Sequence, residues 1–156
     1  IWAFNIIRTM DTSIIEKKIV YKPVKETYDL IPQIAKKAEE KSFLSKDGIK
    51  ISYIRIKGEK KFPTVVFCHG NAGNMTRDDN QNKIKFLVEN GYEVFTLDYR
   101  GFGKSSGEVD EQGFYKDLAS FISYLNTQYK IPESQIVIWG HSLGSAIVIN
   151  EASNRN

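Results

Sequence analysis

Hydrophobic and polar positions divide the chain into a leading part without a clear period and a second part in which strand and helix patterns alternate. Three short apolar runs, each suited to a strand covered on both faces, occupy residues 64–68, 93–97 and 135–139. Stretches of helix length separate them, so we expect three adjacent parallel strands with right-handed crossovers. The strand over 93–97 should lie on the side of the 64–68 strand that faces an N-terminal hairpin.

Helical periodicity fills the intervals between these runs. Ile84, Leu87 and Val88 mark one face of a helix, which the pair Asn90-Gly91 should end. A second helix is predicted from apolar residues that recur with helical spacing at Phe114, Leu118, Phe121, Ile122 and Leu125. A third apolar helical stretch, over residues 143–152, follows the last strand after a short turn.

The leading part predicts less regular structure. Asp47-Gly48 lies between two alternating runs and is a strong signal for a hairpin turn. Residues 29–40 have the spacing of a helix, and residues 18–22 are suited to a short strand stopped by Pro23. We therefore predict an α/β fold: a mostly parallel sheet with an antiparallel leading hairpin and helices on both faces. Residues 1–40 form a basic leading segment and residues 41–156 the domain.

Composition excludes several classes of protein. With 156 residues, 41% hydrophobic and 26% charged, the chain suits one ordinary globular domain. No apolar run approaches the roughly 18 residues that a transmembrane helix needs. A single cysteine, Cys68, rules out an intramolecular disulfide framework, and the two histidines, His69 and His141, do not fit a common zinc site. We therefore expect no metal and no cofactor.

Charge is unevenly distributed along the chain. Residues 1–62 carry a net charge of +6, and residues 63–156 carry −3. Because the chain opens with the apolar run 1–7, this basic segment is suited to lie on a membrane surface, or it is a solvated lysine-rich surface. Aromatic residues do not alternate with the basic ones, which argues against nucleic acid as a partner. The location stays open between the cytoplasm and a membrane surface.

One short motif suggests chemistry. Gly140-His141-Ser142-Leu143-Gly144 fits the pattern G-x-S-x-G and stands directly between an apolar strand and a helix. A nucleophilic serine there needs a sharp, strained turn, and the glycines on either side must let backbone approach closely. The start of the helix would place its positive end near a developing oxyanion. The alternative is a serine that only caps the helix.

A second glycine-rich stretch, residues 69–74, follows the first parallel strand. Acyl transfer needs two backbone N–H groups aimed at the oxyanion. Leu143 is the candidate for one and Asn71, which follows Gly70, for the other, although an ordinary glycine turn would look the same. We expect His69 to be a hydrogen-bonded structural residue and His141 to point away from Ser142, so neither is a good general base.

Residues 98–106 contain Gly103-Lys104-Ser105, which resembles the end of a phosphate-binding P-loop. That motif also needs a glycine where this chain has Asp98, and it needs a helix directly after the lysine. Because Ser106-Gly107 continues the loop instead, nucleotide binding is not expected.

Together, the segments 69–74, 98–105 and 140–144 resemble the alpha/beta-hydrolase superfamily over about residues 43–150. The first two are most similar to its bud-emergence-homologue branch, which includes membrane-associated lipid hydrolases and thioesterases that remove palmitate from proteins. The resemblance implies Ser142 as nucleophile, Asn71 and Leu143 as oxyanion donors, and His69, Gly70, Gly140, His141 and Gly144 as supporting motif residues. In that branch a membrane anchor often precedes the catalytic core.

The predicted triad is incomplete. The fold places an acid and then a histidine after the serine, but after Ser142 the chain holds only Glu151, inside the next helix. We therefore expect the N-terminal part of a longer hydrolase, inactive by itself, whose parent cleaves an ester or thioester, of a lipid or another small acyl compound, through an acyl-enzyme. The alternative is a non-catalytic module that binds a ligand or partner on a hydrolase-like scaffold.

Overall fold

A computed structural model describes residues 17, 19–59 and 61–155. The apolar run 1–7 lies outside these residues, so its proposed place at a membrane stays a prediction. The strands are β1 (Lys22–Pro23), β2 (Ala38–Leu44), β3 (Lys50–Ile56), β4 (Thr64–Cys68), β5 (Ala72–Gly73), β6 (Val94–Leu97) and β7 (Ile136–Gly140). The α-helices are α1 (Pro32–Ala35), α2 (Asp78–Glu89), α3 (Glu111–Tyr129) and α4 (Leu143–Ser153), and a short 3-10 helix covers Glu133–Gln135.

The main sheet has five strands in the order β2-β3-β6-β4-β7. β4 is parallel to both β6 and β7, and β6 lies between β4 and the antiparallel β2–β3 hairpin. This arrangement confirms the predicted order of the three apolar strands. It also puts the C-terminal ends of β4 and β7 side by side, with Cys68 opposite Gly140.

Helices cover both faces of the sheet, and alternate residues of β4 supply two cores. Val66 and Cys68 face the side of α3 and α4, where the aromatic residues of the hairpin and α3 form the larger cluster. Val65 and Phe67 face the side of α1 and α2, with Ile84 and other α2 residues. Coverage on both faces explains why β4 is a continuous apolar run rather than an alternating one.

The predicted helix over residues 29–40 is wrong beyond its first turn. α1 ends at Ala35, and Ala38 already pairs with Ile56 as the first residue of β2. The backbone N–H of Lys57 donates to the Lys37 carbonyl, which extends the pairing. Seven ladder positions with β3 stabilise this segment more than helical propensity does, because propensity is a weak preference that tertiary contacts override.

The predicted strand over 18–22 is also largely wrong. Ile19 is helical, Lys18 lies outside the described residues, and the only strand here is the short β1, which includes Pro23. β1 pairs in parallel with β5 rather than with the main sheet. Residues 20–31, called the strap below, run across the loop after β4 and the start of α2.

Within the described residues, β7 is an edge strand of the sheet. Val137 is 48% exposed, Trp139 37%, and Ile149 on the adjoining α4 68%. The last strand and the adjoining helix therefore present apolar side chains to solvent within the described residues. No helix among the described residues is long and apolar enough to cross a bilayer.

Candidate active site

Two loops meet where β4 and β7 end. The carboxyl ends of parallel strands lie at one edge of the sheet, and loops from neighbouring strands converge there. The His141 backbone N–H donates to the Cys68 carbonyl at 3.0 Å, which carries the pairing one residue past β7. A methyl group placed on Gly70 would lie 3.3 Å from Cβ of Ser142. The predicted oxyanion loop and the predicted nucleophile are therefore neighbours.

Ser142 occupies a strained turn. Its φ of 54° and ψ of −116° form a conformation that non-glycine residues rarely adopt and that typically costs about 1–3 kcal/mol. It stands at the N-cap of α4 but makes no capping hydrogen bond with its side chain, and the residue is exposed. The serine therefore does not serve the helix as a cap. The predicted strand–turn–helix geometry at Ser142 is confirmed, whereas its chemical role is a separate question.

Gly140 and Gly144 permit this turn by close backbone approach. A Cβ on Gly140 would overlap the backbone of Gly144 and Ser145, and a Cβ on Gly144 would overlap the Cys68 carbonyl. α4 therefore packs directly onto the end of β4 with no side chain between them. This is the physical reason for glycine two residues before and two residues after the serine.

The loop over residues 69–74 is held from outside by the strap. The Asn71 side chain accepts a hydrogen bond from the Lys22 N–H at 3.0 Å and donates one to the Val20 carbonyl at 2.5 Å. The backbone N–H groups of Asn71 and Leu143 donate no hydrogen bond to a described residue. Both candidate oxyanion donors are thus unused, although their common aim at one point stays a prediction.

His69 is fully buried beneath this loop. Its Nδ1 lies 2.7 Å from the Gly70 carbonyl, and its Nε2 lies 3.3 Å from Oδ1 of Asp98. The same Asp98 oxygen accepts from the Met75 N–H at 2.7 Å, so one carboxylate supports both ends of the loop. The His69 ring also packs against Tyr99, with ring centroids 4.6 Å apart. These contacts fit the predicted structural role and leave His69 poorly suited to act as a base.

A cavity of about 300 Å³ opens beside Ser142, lined by residues of both loops together with Arg77, Asp79 and Asn80 of the α2 start. His141 lines it too and is exposed, with no hydrogen bond from its ring to a described residue. Glu151 pairs with Arg155, which lies just beyond the end of α4, and it has no contact with a histidine among the described residues. Among the described residues, no group of His, Cys, Asp or Glu side chains is arranged to hold a metal ion.

Lys104 and Ser105 of the P-loop-like stretch make contacts within the fold. Lys104 forms an ion pair with Glu40 of β2, with the nearer oxygen at 2.7 Å. The Ser105 hydroxyl donates to the Asp98 carbonyl at 2.6 Å and accepts from the Ser52 N–H at 2.8 Å. The next helix, α3, starts only at Glu111. The side chains of Lys104 and Ser105 are thus bonded to neighbouring segments, and the absence of nucleotide binding stays a prediction.

A charge network centred on the buried Arg100 and Asp117 was missed by the sequence reasoning. Arg100 donates to both carboxylate oxygens of Asp117 on α3, with the shortest contact 2.6 Å, and to Asp47 of the hairpin turn at 2.9 and 3.1 Å. Burial raises the pKa of Asp117 although Arg100 opposes the shift. Hydrogen bonds from Arg100 and Ser45 lower the pKa of Asp47 to about 2. Asp117 follows Phe114 by three residues on the apolar face of α3. A carboxylate on an apolar helix face was the sequence signal that could have indicated a buried ion pair.

Comparison with known proteins identifies the family of this chain. The family described as the alpha/beta hydrolase fold matches residues 63–155, and the chain belongs to that family. An esterase from Pyrococcus furiosus, Pf2001, shares the fold with a TM-score of 0.73 at 24% identity, over 85% of this chain and 52% of that one.

Two curated relatives carry informative names. The Arabidopsis thaliana alpha/beta hydrolase domain-containing protein WAV2 is 31% identical over 85% of this chain and 45% of its own length. The Danio rerio lysophosphatidylserine lipase ABHD12 is 36% identical over 59% of this chain and 25% of its own. The chain thus spans less than half the length of these relatives.

Proposed function

We propose that the protein is a serine hydrolase that cleaves a carboxylic ester or thioester, with Ser142 as the nucleophile. One observation carries the proposal: an exposed serine in a strained strand-to-helix turn, with no capping bond, lies against a glycine-rich loop. Backbone strain at a residue that makes no capping hydrogen bond is typical of a functional position. The esterase and lipase among the similar proteins support this reaction class.

In the proposed mechanism, the Ser142 hydroxyl attacks the carbonyl carbon of the substrate and forms a tetrahedral intermediate. The backbone N–H groups of Asn71 and Leu143 donate to its oxyanion, and the N-terminal end of α4 adds a favourable dipole. Collapse expels the alcohol or thiol and leaves an acyl-serine, which water then hydrolyses. Each donor of this kind typically contributes about 100- to 1,000-fold to the rate.

The base that accepts the serine proton is not one of the histidines of this chain. His69 is buried, with Nδ1 hydrogen-bonded to the Gly70 carbonyl and Nε2 3.3 Å from Asp98 without a hydrogen bond. His141 flanks the serine with its ring on the Gly70 side. In this fold the acid and the histidine follow the nucleophile in chain order. We therefore propose that they lie in sequence C-terminal to residue 156 in a longer protein.

The substrate we propose is a small acyl ester or thioester, with a lipid as the favoured class. A lysophosphatidylserine lipase among the relatives supports a lipid. We further propose that the basic leading segment brings the site to a membrane surface, since Ile19 and the strap residue Val20 are apolar side chains that are 65% and 48% exposed. No nucleic-acid partner is proposed.

The test compares this 156-residue chain with the complete protein. A chromogenic short-chain ester and a fluorophosphonate probe report turnover and an activated serine. We expect turnover and labelling in the complete protein, loss of both in Ser142→Ala, and little of either in the short chain. Robust Ser142-dependent turnover by the short chain would instead reveal a base within it, and His69→Gln would be the first variant to examine.

The second candidate function is a binding module on a hydrolase scaffold. The absence of a base near Ser142 among the described residues favours it. A complete protein that neither turns over esters nor reacts with the probe, yet binds an ester at the 300 Å³ cavity, would support this candidate.

A further inference from the structure

The Asn71 side chain is turned away from the proposed reaction centre. A carboxamide beside a nucleophile often donates to the oxyanion itself. Here both ends of the carboxamide are already bonded to the strap, to the Lys22 N–H and the Val20 carbonyl. With its Oδ1 and one N–H of Nδ2 bonded there, the orientation of the side chain is set by the strap.

The backbone around Asn71 needs such support. Gly70 precedes it, and Gly73 follows with a φ of 94°, so the loop contains two residues of high conformational freedom. On its inner side the loop touches Ser142 through Gly70. A shift of the loop by a fraction of an ångström would therefore change the distance between the Asn71 N–H and the oxyanion.

The strap supplies the support at several points. β1 pairs with β5 in the register Lys22 to Ala72, and the Val24 N–H donates to the Gly73 carbonyl at 3.2 Å. Tyr21 is buried and packs edge-on against Phe114 of α3, with ring centroids 5.2 Å apart, so the strap is itself fixed to the helical layer.

We propose that Asn71 is a positioning residue whose side chain, clamped between Val20 and Lys22 of the strap, holds its own backbone N–H in place to stabilise the oxyanion. This proposal rests on the proposed function. It makes the segment that precedes the main sheet part of the catalytic apparatus, although that segment contributes no atom to the reaction.

Gln81 offers a matched control on the same strap. Its side chain also clamps the strap at both ends, donating to the Asp29 carbonyl at 2.9 Å and accepting from the Ile31 N–H at 2.7 Å. It does not line the cavity beside Ser142. Its Nε2 also donates to the Thr76 carbonyl at 2.6 Å, so loss of Gln81 removes a buried strap clamp that has no bond to the oxyanion loop.

The experiment measures kcat and KM for a chromogenic ester in the complete protein, with thermal melts to verify folding. Asn71→Ala should lower kcat by about 10- to 100-fold with KM within about threefold, because donor misplacement weakens transition-state binding. Gln81→Ala should lower the melting temperature and leave kcat unchanged. A comparable fall in kcat for both variants would overturn the proposal.

A second variant removes the clamp from the other side. Lys22→Pro lacks the N–H that bonds Asn71 but leaves the Asn71 side chain intact, and Lys22→Ala measures the effect of losing the lysine side chain alone. Lys22→Pro should lower kcat, and adding it to Asn71→Ala should cause no further loss, because the same bond is already gone. If the two substitutions lowered kcat by factors that multiply in the double variant, the proposed clamp would be overturned.

Hydrogen exchange gives a readout that does not depend on turnover. The amides of residues 70–74 should exchange faster in Asn71→Ala and Lys22→Pro than in Gln81→Ala, and equal exchange would contradict the inference. The proposed function fails separately: a wild-type protein without turnover, or a Ser142→Ala variant that keeps it, overturns the hydrolase assignment and this inference with it.

Discussion

Replacement of Asp117 by asparagine should destabilise the protein more than any comparable change at a surface ion pair. Asp117 is fully buried, and its two oxygens accept from the Arg100 backbone N–H at 2.8 Å and from the guanidinium at 2.6 and 3.1 Å. The replacing asparagine would turn an amide N–H₂ toward one of these donors. Arg100, only 7% exposed, would then keep its charge with one partner fewer.

The expected magnitude follows from this burial. Removing one partner of a buried ion pair typically costs about 3–5 kcal/mol, because the other charge stays buried without compensation. Asp47 also binds Arg100, but its side chain is 34% exposed, so Asp47→Asn should cost only about 0–1 kcal/mol. Against a typical total stability of about 5–15 kcal/mol, the first loss is large and the second small.

Urea unfolding followed by circular dichroism measures the difference. With a slope of about 2 kcal/mol per molar urea, a loss of about 4 kcal/mol lowers the midpoint by about 2 M for Asp117→Asn. The double replacement Arg100→Met with Asp117→Leu should recover only part of that loss. Apolar residues can replace the buried side-chain pair, but the backbone N–H of residue 100 loses its acceptor. Equal midpoint shifts for Asp117→Asn and Asp47→Asn would refute the reasoning.

Three further outcomes are expected. Gly144→Ala should abolish soluble folded protein, because its Cβ overlaps the Cys68 carbonyl, whereas Gly48→Ala, with open space around a φ of 80°, should cost only about 1 kcal/mol in a melt. The pKa of Asp47 is lowered to about 2 in the folded state. The difference in free energy of unfolding between wild type and Asp47→Asn should therefore be full above about pH 4 and vanish as the pH falls toward 2. A difference that persists at pH 2 would contradict this. Burial raises the pKa of the Cys68 thiol to about 12. A thiol-reactive disulfide reagent should therefore leave Cys68 unmodified in the native protein and react with it only in denaturant. Rapid reaction with the native protein would show that the end of β4 opens.

The sequence by itself determined the parallel part of the fold and the turn at Ser142. The strands within the runs 64–68 and 93–97 are mostly apolar because both of their faces are buried, and this pattern can be read from the sequence alone. The run 135–139 is also mostly apolar, although one face of its strand is exposed. The glycines at 140 and 144 are readable for a similar reason, since each position is crowded by backbone that lies close in the chain or directly beneath the turn. Such local constraints leave a fixed spacing in the sequence.

The tertiary structure alone decided the rest. Residues 38–40 continue the helical spacing of the stretch before them, yet pairing with β3 makes them a strand, because a ladder formed with a partner strand outweighs a propensity of a few tenths of a kcal/mol per residue. The clamp of Asn71 on the strap joins residues 49 positions apart in one bond and 51 in the other, and the Arg100 network joins residues up to 53 apart. No spacing rule encodes a hydrogen bond across such distances. Its partners become neighbours only once the chain has folded.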